Sequence, residues 1–129
     1  MRFVYYSTIY NNVPHSLLHQ NTNPMLITTT YQVDGQPIRQ YLGVISAESI
    51  IGANFIKDIL ANLTDFFGGR SNTYEKVLRE GKETVLRELE KQASMMGANA
   101  IVGVDIDYNT VGANGSMLMV VATGTAVVL

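Results

Sequence analysis

The sequence predicts an α+β fold in which a small, mostly antiparallel sheet packs on one long helix. Two strand-like segments are separated by the turn signal Asp34-Gly35. A long amphipathic segment then runs to Gly97, and the apolar segment 100–108 follows it with almost no connecting residues. This succession of helix end and strand indicates the fold class, and the expected element order is β-β-(short α)-α-β-β.

The composition excludes several classes of protein. The chain has 129 residues, a formal net charge of −2 and no cysteine. Such a charge gives no electrostatic footprint for nucleic acid, and the lack of cysteine excludes disulfides, thiolate metal sites and cysteine nucleophiles. The N-terminus lacks the apolar segment of a signal peptide, and the apolar segment 117–129 is too short to span a bilayer. We therefore expect a cytoplasmic protein that binds neither nucleic acid nor membrane.

The first part of the chain is predicted to hold an arm and a hairpin. Residues 1–24 are expected to form an N-terminal arm or an extra edge strand, and residues 25–129 the α+β domain. Within that domain strands are expected at 25–33 and 38–45, because apolar and polar side chains alternate in both. The turn signal between them predicts an antiparallel pair.

The long helix has start and stop signals of its own. It follows a connection, 48–67, in which apolar residues near helical spacing predict a short helix. Asn72 and Glu75 fit a capping box at the start of the long helix, and Gly97 suits its C-terminal end. Gly81 in mid-helix costs about 1 kcal/mol relative to alanine, so we interpret it as a point of close packing on a neighbouring backbone.

Two further strands complete the domain. They are predicted at 100–108 and 117–128 and are joined by a glycine-rich turn. Regular alternation in the first of them places Val102 and Val104 on one face and Ile101 on the other.

The pattern of the last predicted strand indicates how the protein assembles. It is apolar on both faces, and a strand of that kind needs cover from both sides. One long helix covers only one face of a small sheet, so the other face must meet the short helix, the N-terminal arm or another copy. Since an apolar sheet face left in water is an association site and symmetric assembly is common, we expect a homo-oligomer in which sheet faces or edges meet.

Several short blocks of the chain resemble those of a known family. The chain is similar to the YbjQ-like family, an uncharacterised bacterial group labelled "putative heavy-metal-binding", over roughly residues 25–129. The blocks that carry the resemblance are LITTT at 26–30, YLGV at 41–44, GGRS at 68–71, YE at 74–75, GANA at 97–100, VGVDIDY at 102–108 and GTAVV at 124–128.

The resemblance implies a dodecin-like α+β subunit that assembles into a homopentameric ring. It implies no catalytic residues, and its metal label names no site. Residues 1–24 are longer and more aromatic than the usual start of the family.

Two carboxylates on one strand are the first candidate site. Asp105 and Asp107 lie two apart, so both project from one face, about 6.5–7 Å apart at Cα. With water or a third oxygen ligand they could hold Mg²⁺ or Ca²⁺. The alternative is that they pair with Arg or Lys of a neighbouring subunit.

Soft metal ions have weaker candidates. His15 and His19 lie four apart, which on a helix puts both imidazoles on one face, although two solvated histidines are the alternative. Met117 and Met119 share a strand face and offer thioethers, but methionine in an apolar pattern is usually core filling.

The segment before the long helix is the last candidate. Two glycines, Arg70 and Ser71 precede a helix N-terminus, where free N–H groups and a guanidinium favour an anion. The alternative is a turn whose Arg70 pairs with a nearby acid. Asn99, Asp105 and Asp107 are expected to join Arg70 in lining a ligand site at subunit interfaces.

These candidates do not form a catalytic set, because no base is placed beside a nucleophile by any motif. The sequence therefore favours a non-enzymatic homo-oligomer, a pentamer if the resemblance holds, that binds a small ligand or ion between subunits. The alternatives are a metal-binding protein, with a divalent ion as its cofactor, and a structural scaffold with no ligand.

Overall fold

The computed structural model describes residues 24–54 and 70–129, with only the backbone of residues 70–74. In this part of the chain one long helix packs on a mixed four-stranded sheet of order β1-β3-β4-β2. The elements are β1 (Leu26–Ile27), β2 (Gln40–Ile51), α1 (Arg70–Met95), β3 (Ala100–Val111), a short 3₁₀ turn (Ala113–Gly115) and β4 (Met117–Val128). The predicted α+β fold with one long helix is confirmed.

The sheet combines parallel and antiparallel pairs. β1 runs parallel to β3, with Leu26 beside Ala100. The residues that precede β2 and β3 both bond to the end of β4, since Arg39 N donates to Val128 O at 2.8 Å and Asn99 N donates to Val127 O at 3.1 Å. β4 is therefore antiparallel to both neighbours, and β2 and β3 run in the same direction.

The predicted first hairpin is wrong. β1 has only two residues and pairs with β3, whereas β2 is the strand at the opposite edge of the sheet. The threonines after β1 bond locally instead of continuing the strand: Thr30 N donates to Thr28 Oγ1 at 3.2 Å, and Thr30 Oγ1 donates to Gln32 O at 2.8 Å. The turn itself is present, with Gln36 N donating to Val33 O at 3.1 Å.

Both strand and helix boundaries differ from the prediction. β2 continues to Ile51, six residues past the predicted end at residue 45. Of the predicted short helix only the helical residues 53 and 54 are described, and the rest lies outside the described residues. Helix α1 begins at Arg70, so Asn72 lies inside its first turn and is not the N-cap.

The C-terminal end of α1 agrees with the sequence. Gly97 has a φ of 84°, and Ala98 N donates to Ala93 O at 3.0 Å while Gly97 N donates to Ser94 O at 3.0 Å. These two bonds form a Schellman motif, which satisfies carbonyls that the end of a helix leaves free.

A bulge at Gly103 breaks the alternation of β3. Gly103 N and Val104 N donate to the same neighbouring segment, at 2.9 Å to Thr30 O and 3.0 Å to Thr28 O, and Gly103 has a φ of 61°. A Cβ on Gly124 would lie 2.7 Å from Ile101 Cγ2 and 3.1 Å from Val104 Cγ2. Ile101 and Val104 thus share a face, and the prediction that Val104 lies with Val102 is wrong.

The described residues divide into two compact units. The first unit contains residues 24–45, 90–104 and 124–129. Its core joins three buried side chains to four partly buried ones that pack against them: Ala100, Val102 and Val127, with Leu26, Val33, Ile38 and Leu129.

The second unit contains residues 46–54, 70–89 and 105–123. Here α1 packs closely on the sheet at Gly81, where a Cβ would lie 2.7 Å from Val120 Cγ2 and 3.1 Å from Ile51 Cδ1. Gly81 does mark close packing, but the neighbours are side chains of β4 and β2, not backbone.

Candidate functional site

The two candidate carboxylates lie on the open side of the second unit. Val104 is buried beside Gly124, so the next residue, Asp105, points to the opposite side of the sheet, and Asp107 follows it there. Both side chains are exposed. We call this side of the second unit, away from α1, the outer face.

The outer face has an apolar centre and acidic flanks. Its central strand is β4, whose side chains Met117, Met119 and Val121 are only partly buried. On β2 the residues that alternate with buried Ala47 and Ile51 are Glu48 and Ile50, and Ile50 is 60% exposed. Because β4 lies between β3 and β2, aspartates border the apolar strip on one side and Glu48 on the other.

A single chain does not complete a metal site in the described residues. No group of three or more His, Cys, Asp or Glu side chains comes together there. Two carboxylates underfill the six to eight oxygen ligands that Ca²⁺ takes. His15 and His19 lie outside the described residues, so their proposed metal site stays a prediction.

Asn99 has a structural partner within the first unit. Its Oδ1 accepts a hydrogen bond from Leu129 N at 2.8 Å. Arg39 completes this arrangement, since its Nε donates to Leu129 O at 2.8 Å and its Nη2 donates to the same oxygen. Asn99 thus fixes the end of β4 and belongs to the first unit, whereas Asp105 and Asp107 belong to the second.

The predicted anion pocket is only partly described. Arg70 is the first residue of α1, which agrees with its predicted place at a helix N-terminus. Its side chain and the two preceding glycines lie outside what the structure describes, so anion binding there stays a prediction.

The structure contains a groove that sequence reasoning missed. It lies between the end of β2 and the middle of α1 and measures about 260 Å³; its lining residues are Ser49, Ile50, Ile51, Glu80, Gly81 and Thr84. That is smaller than the roughly 300–1,000 Å³ of typical ligand sites. Thr84 Oγ1 already donates to Glu80 O at 2.8 Å and accepts from Arg87 Nη2 at 3.2 Å. The only signal in the sequence was Gly81, which leaves the helix without a side chain beside β2.

Comparison with known proteins identifies the family of the chain. The sequence profile of the YbjQ family, described as "Putative heavy-metal-binding", matches residues 25–129. A UPF0145 protein of Caulobacter vibrioides is 54% identical over 105 residues, which cover 81% of this chain and 100% of that protein. No described helix has both the length and the apolar character that crossing a membrane requires.

A solved structure supports the fold independently. A crystal structure of a protein of unknown function in the DUF74 family of Pediococcus pentosaceus superposes with a TM-score of 0.51. It is 23% identical, and the match covers 81% of this chain and 97% of that one. The profile match and the 54% identical relative show that the chain belongs to the YbjQ (UPF0145) family.

Proposed function

We propose that the protein is a non-enzymatic, homo-oligomeric binding protein of the cytoplasm, which holds a small ligand or ion between its subunits. The pentameric state that the family resemblance implies is part of this proposal. The single observation that carries it is the outer face, where Ile50 is exposed and the apolar side chains Met117, Met119 and Val121 are only partly buried.

The exposure of this strip favours association. Ile50 is 60% exposed, and Met117, Met119 and Val121 beside it are only partly buried. Contiguous apolar surface of this kind marks an interaction site more often than scattered single residues do. A second copy that covers the strip would stabilise the assembly by about 25 cal/mol for each Å² of apolar area removed from water.

The acidic flanks give the interface its chemical character. Asp105 and Asp107 border the strip, so they would lie at the edge of a covered face and meet whatever a neighbouring subunit presents. This arrangement favours a cation or a cationic ligand. Arg70 remains a candidate for an anionic ligand, whereas Asn99 is engaged by Leu129.

Native mass spectrometry tests the assembly. The wild-type chain has a mass of 14.2 kDa, and we expect a multiple of this mass at micromolar concentration. Met119→Glu places a charge in the strip and should release subunits. Met95→Glu, at the exposed end of α1, is the matched control and should leave assembly unchanged. A wild-type monomer would contradict the proposal.

A second candidate function is metal binding, as the family description suggests, and the paired carboxylates on one face favour it. Calorimetric titration with Mg²⁺, Ca²⁺ and Zn²⁺ should give heat that Asp105→Asn abolishes and the exposed helix variant Glu88→Gln does not. The same titration on a chain that lacks residues 1–24 measures how much His15 and His19 contribute to metal binding. The absence of heat from all three ions would remove the metal hypothesis and favour a scaffold or an organic ligand.

A further inference from the structure

Residues 1–24 are the part of the chain that the family does not account for. The YbjQ profile begins at residue 25, and the UPF0145 protein of Caulobacter vibrioides corresponds over its whole length to 105 residues of this chain. A domain of the family is therefore complete without residues 1–24. Their role lies outside the formation of the domain itself.

The segment 3–10 has a composition that is typical of a covered strand. It reads FVYYSTIY, in which four residues are aromatic and three are β-branched. Such residues fit a pleated, partly buried surface, and each aromatic side chain removes about 150–250 Å² from water when it finds an apolar partner. The hydrophobic effect therefore favours an apolar surface as the binding partner of this segment.

The outer face of the second unit offers a surface of matching chemistry. Ile50 is 60% exposed there, and Met117, Met119 and Val121 are only partly buried. A thioether sulfur makes favourable contacts with aromatic rings, worth about 0.3–1.5 kcal/mol each. A strip that contains two methionines thus fits an aromatic segment better than it fits an aliphatic one.

The charges of the segment and of the outer face are complementary. Asp105 and Asp107 border the apolar strip on one side, and Glu48 borders it on the other. Residues 1–24 contain none of the eleven acidic residues of the chain, and they include Arg2. This segment therefore meets no like-charge repulsion on the outer face, whereas the outer face of another copy would bring further carboxylates.

The connection is long enough for the segment to reach the outer face of its own chain. Leu26 pairs with Ala100 of β3, and Asp107 lies further along the same strand, roughly 23 Å away at 3.3 Å per residue. The connection 11–24 spans up to about 46 Å when it is extended. β1 and β3 are parallel, so the connection has to reverse its direction, and the turn residues NTNP at 21–24 allow this.

We propose that residues 3–10 lie on the outer face of their own chain and compete there with a second copy. The inference rests on the proposed function, because the same apolar strip is the surface through which copies associate. A tethered segment acts at an effective concentration in the millimolar range, so it weakens the association of copies and does not abolish it. Removal of residues 1–24 should therefore lower the dissociation constant of the assembly.

An introduced thiol reports whether the strip is covered, because the chain has no cysteine. Met119→Cys places the thiol on the outer face, and its reaction with N-ethylmaleimide is followed at a concentration where native mass spectrometry shows single chains. The full-length variant should react about tenfold more slowly than the same variant without residues 1–24, as when the segment is docked about nine-tenths of the time. Ser94→Cys, on the exposed side of α1, is the matched control and should react equally in both chains. Far-UV circular dichroism checks the fold, and Met117→Cys replaces Met119→Cys if that variant is unfolded.

Charged variants of the full-length chain identify the segment that covers the strip. The double variant Tyr6→Glu and Ile9→Glu charges both faces of the segment, and should raise the reaction rate of the thiol at position 119 to that of the chain without residues 1–24. The double variant Ser16→Glu and Gln20→Glu adds the same charge outside the segment and should leave the rate unchanged. Equal rates for the two double variants overturn the proposal.

Failure of this inference is distinguishable from failure of the proposed function. A wild-type chain that is monomeric at micromolar concentration contradicts the homo-oligomer, whatever the thiol rates are. A wild-type oligomer whose thiol at position 119 reacts equally fast with and without residues 1–24 overturns only the docking of the segment. Protection that grows with protein concentration would place the segment on a neighbouring copy, and this also overturns the proposed placement.

Discussion

Two valines on the same side of β4 have different surroundings in the two units. In the first unit Val127 is fully buried, since residues of the segment 26–38 and Leu129 pack around it with Ala100 and Val102. In the second unit Val121 is only partly buried. The strand is equally apolar at both positions, so the difference lies in what the rest of the chain supplies as cover.

The last strand needs cover from a second copy along only part of its length. A strand that is apolar on both faces was expected to need a second copy along its length. In the first unit the chain covers the second face itself, through the segment after β1. In the second unit the outer-face side chains of β4 are only partly buried, so the expectation of cover by a second copy applies there.

The largest expected effect is the difference in stability between the same substitution at Val127 and at Val121. Val127→Asp buries a charge without a partner and should cost more than about 4 kcal/mol of unfolding free energy, enough to prevent folding. Val121→Asp should leave a folded subunit that does not assemble. Circular dichroism and native mass spectrometry separate the two outcomes. If both variants unfold to a comparable extent, Val121 is covered as completely as Val127.

The bulge that sets the outer face gives the second prediction. Gly103→Ala places a side chain at a φ of 61° with its Cβ 3.1 Å from the Tyr31 ring, and should cost about 2 kcal/mol.

Gly97→Ala is the matched control, because its φ is also positive, at 84°, but no atom lies within 4 Å of its Cβ. Chemical denaturation should show a smaller loss for Gly97→Ala. In a Tyr31→Ala background the two losses should become equal, and a difference that persists would mean that the ring is not the cause.

The third prediction examines the covered side of the second unit. Gly81→Ala raises helix propensity by about 1 kcal/mol, but its Cβ would meet Val120 Cγ2 at 2.7 Å. Overpacking costs about 1–3 kcal/mol, so we expect a net loss near 1 kcal/mol in urea denaturation. Ser94→Ala, on the exposed side of the same helix, should be neutral or slightly stabilising. An increase in the free energy of unfolding for Gly81→Ala would show that the second unit is loosely packed on the α1 side as well as on the outer face.

The smallest expected effect concerns the hydrogen bond between Asn99 and Leu129 in the first unit. Asn99→Ala removes the acceptor of Leu129 N, and since the site is exposed the loss should be about 0.5–1 kcal/mol. Asn99→Asp keeps an oxygen acceptor and should lose less. Thermal denaturation of both variants measures the difference, and equal losses would mean that the hydrogen bond does not stabilise the fold.

The candidate site could be predicted only in part. The pairing of Asp105 with Asp107 on one exposed face follows from strand alternation, which a bulge before them does not change. The side on which they lie depended on that bulge, because Gly103 shifts every later residue by one. Asn99 was assigned to a ligand because nothing local shows that Leu129, thirty positions away, takes its side-chain oxygen.

The sequence by itself determined the α+β class, the single long helix with its end at Gly97, and the two long C-terminal strands. Periodicity and end signals are local, and they act on residues a few positions apart. Only the tertiary structure decided that β1 pairs with β3, that β2 reaches Ile51 at the sheet edge, and that one unit covers both faces of β4. These features depend on contacts between distant segments, whose free energy no local pattern records.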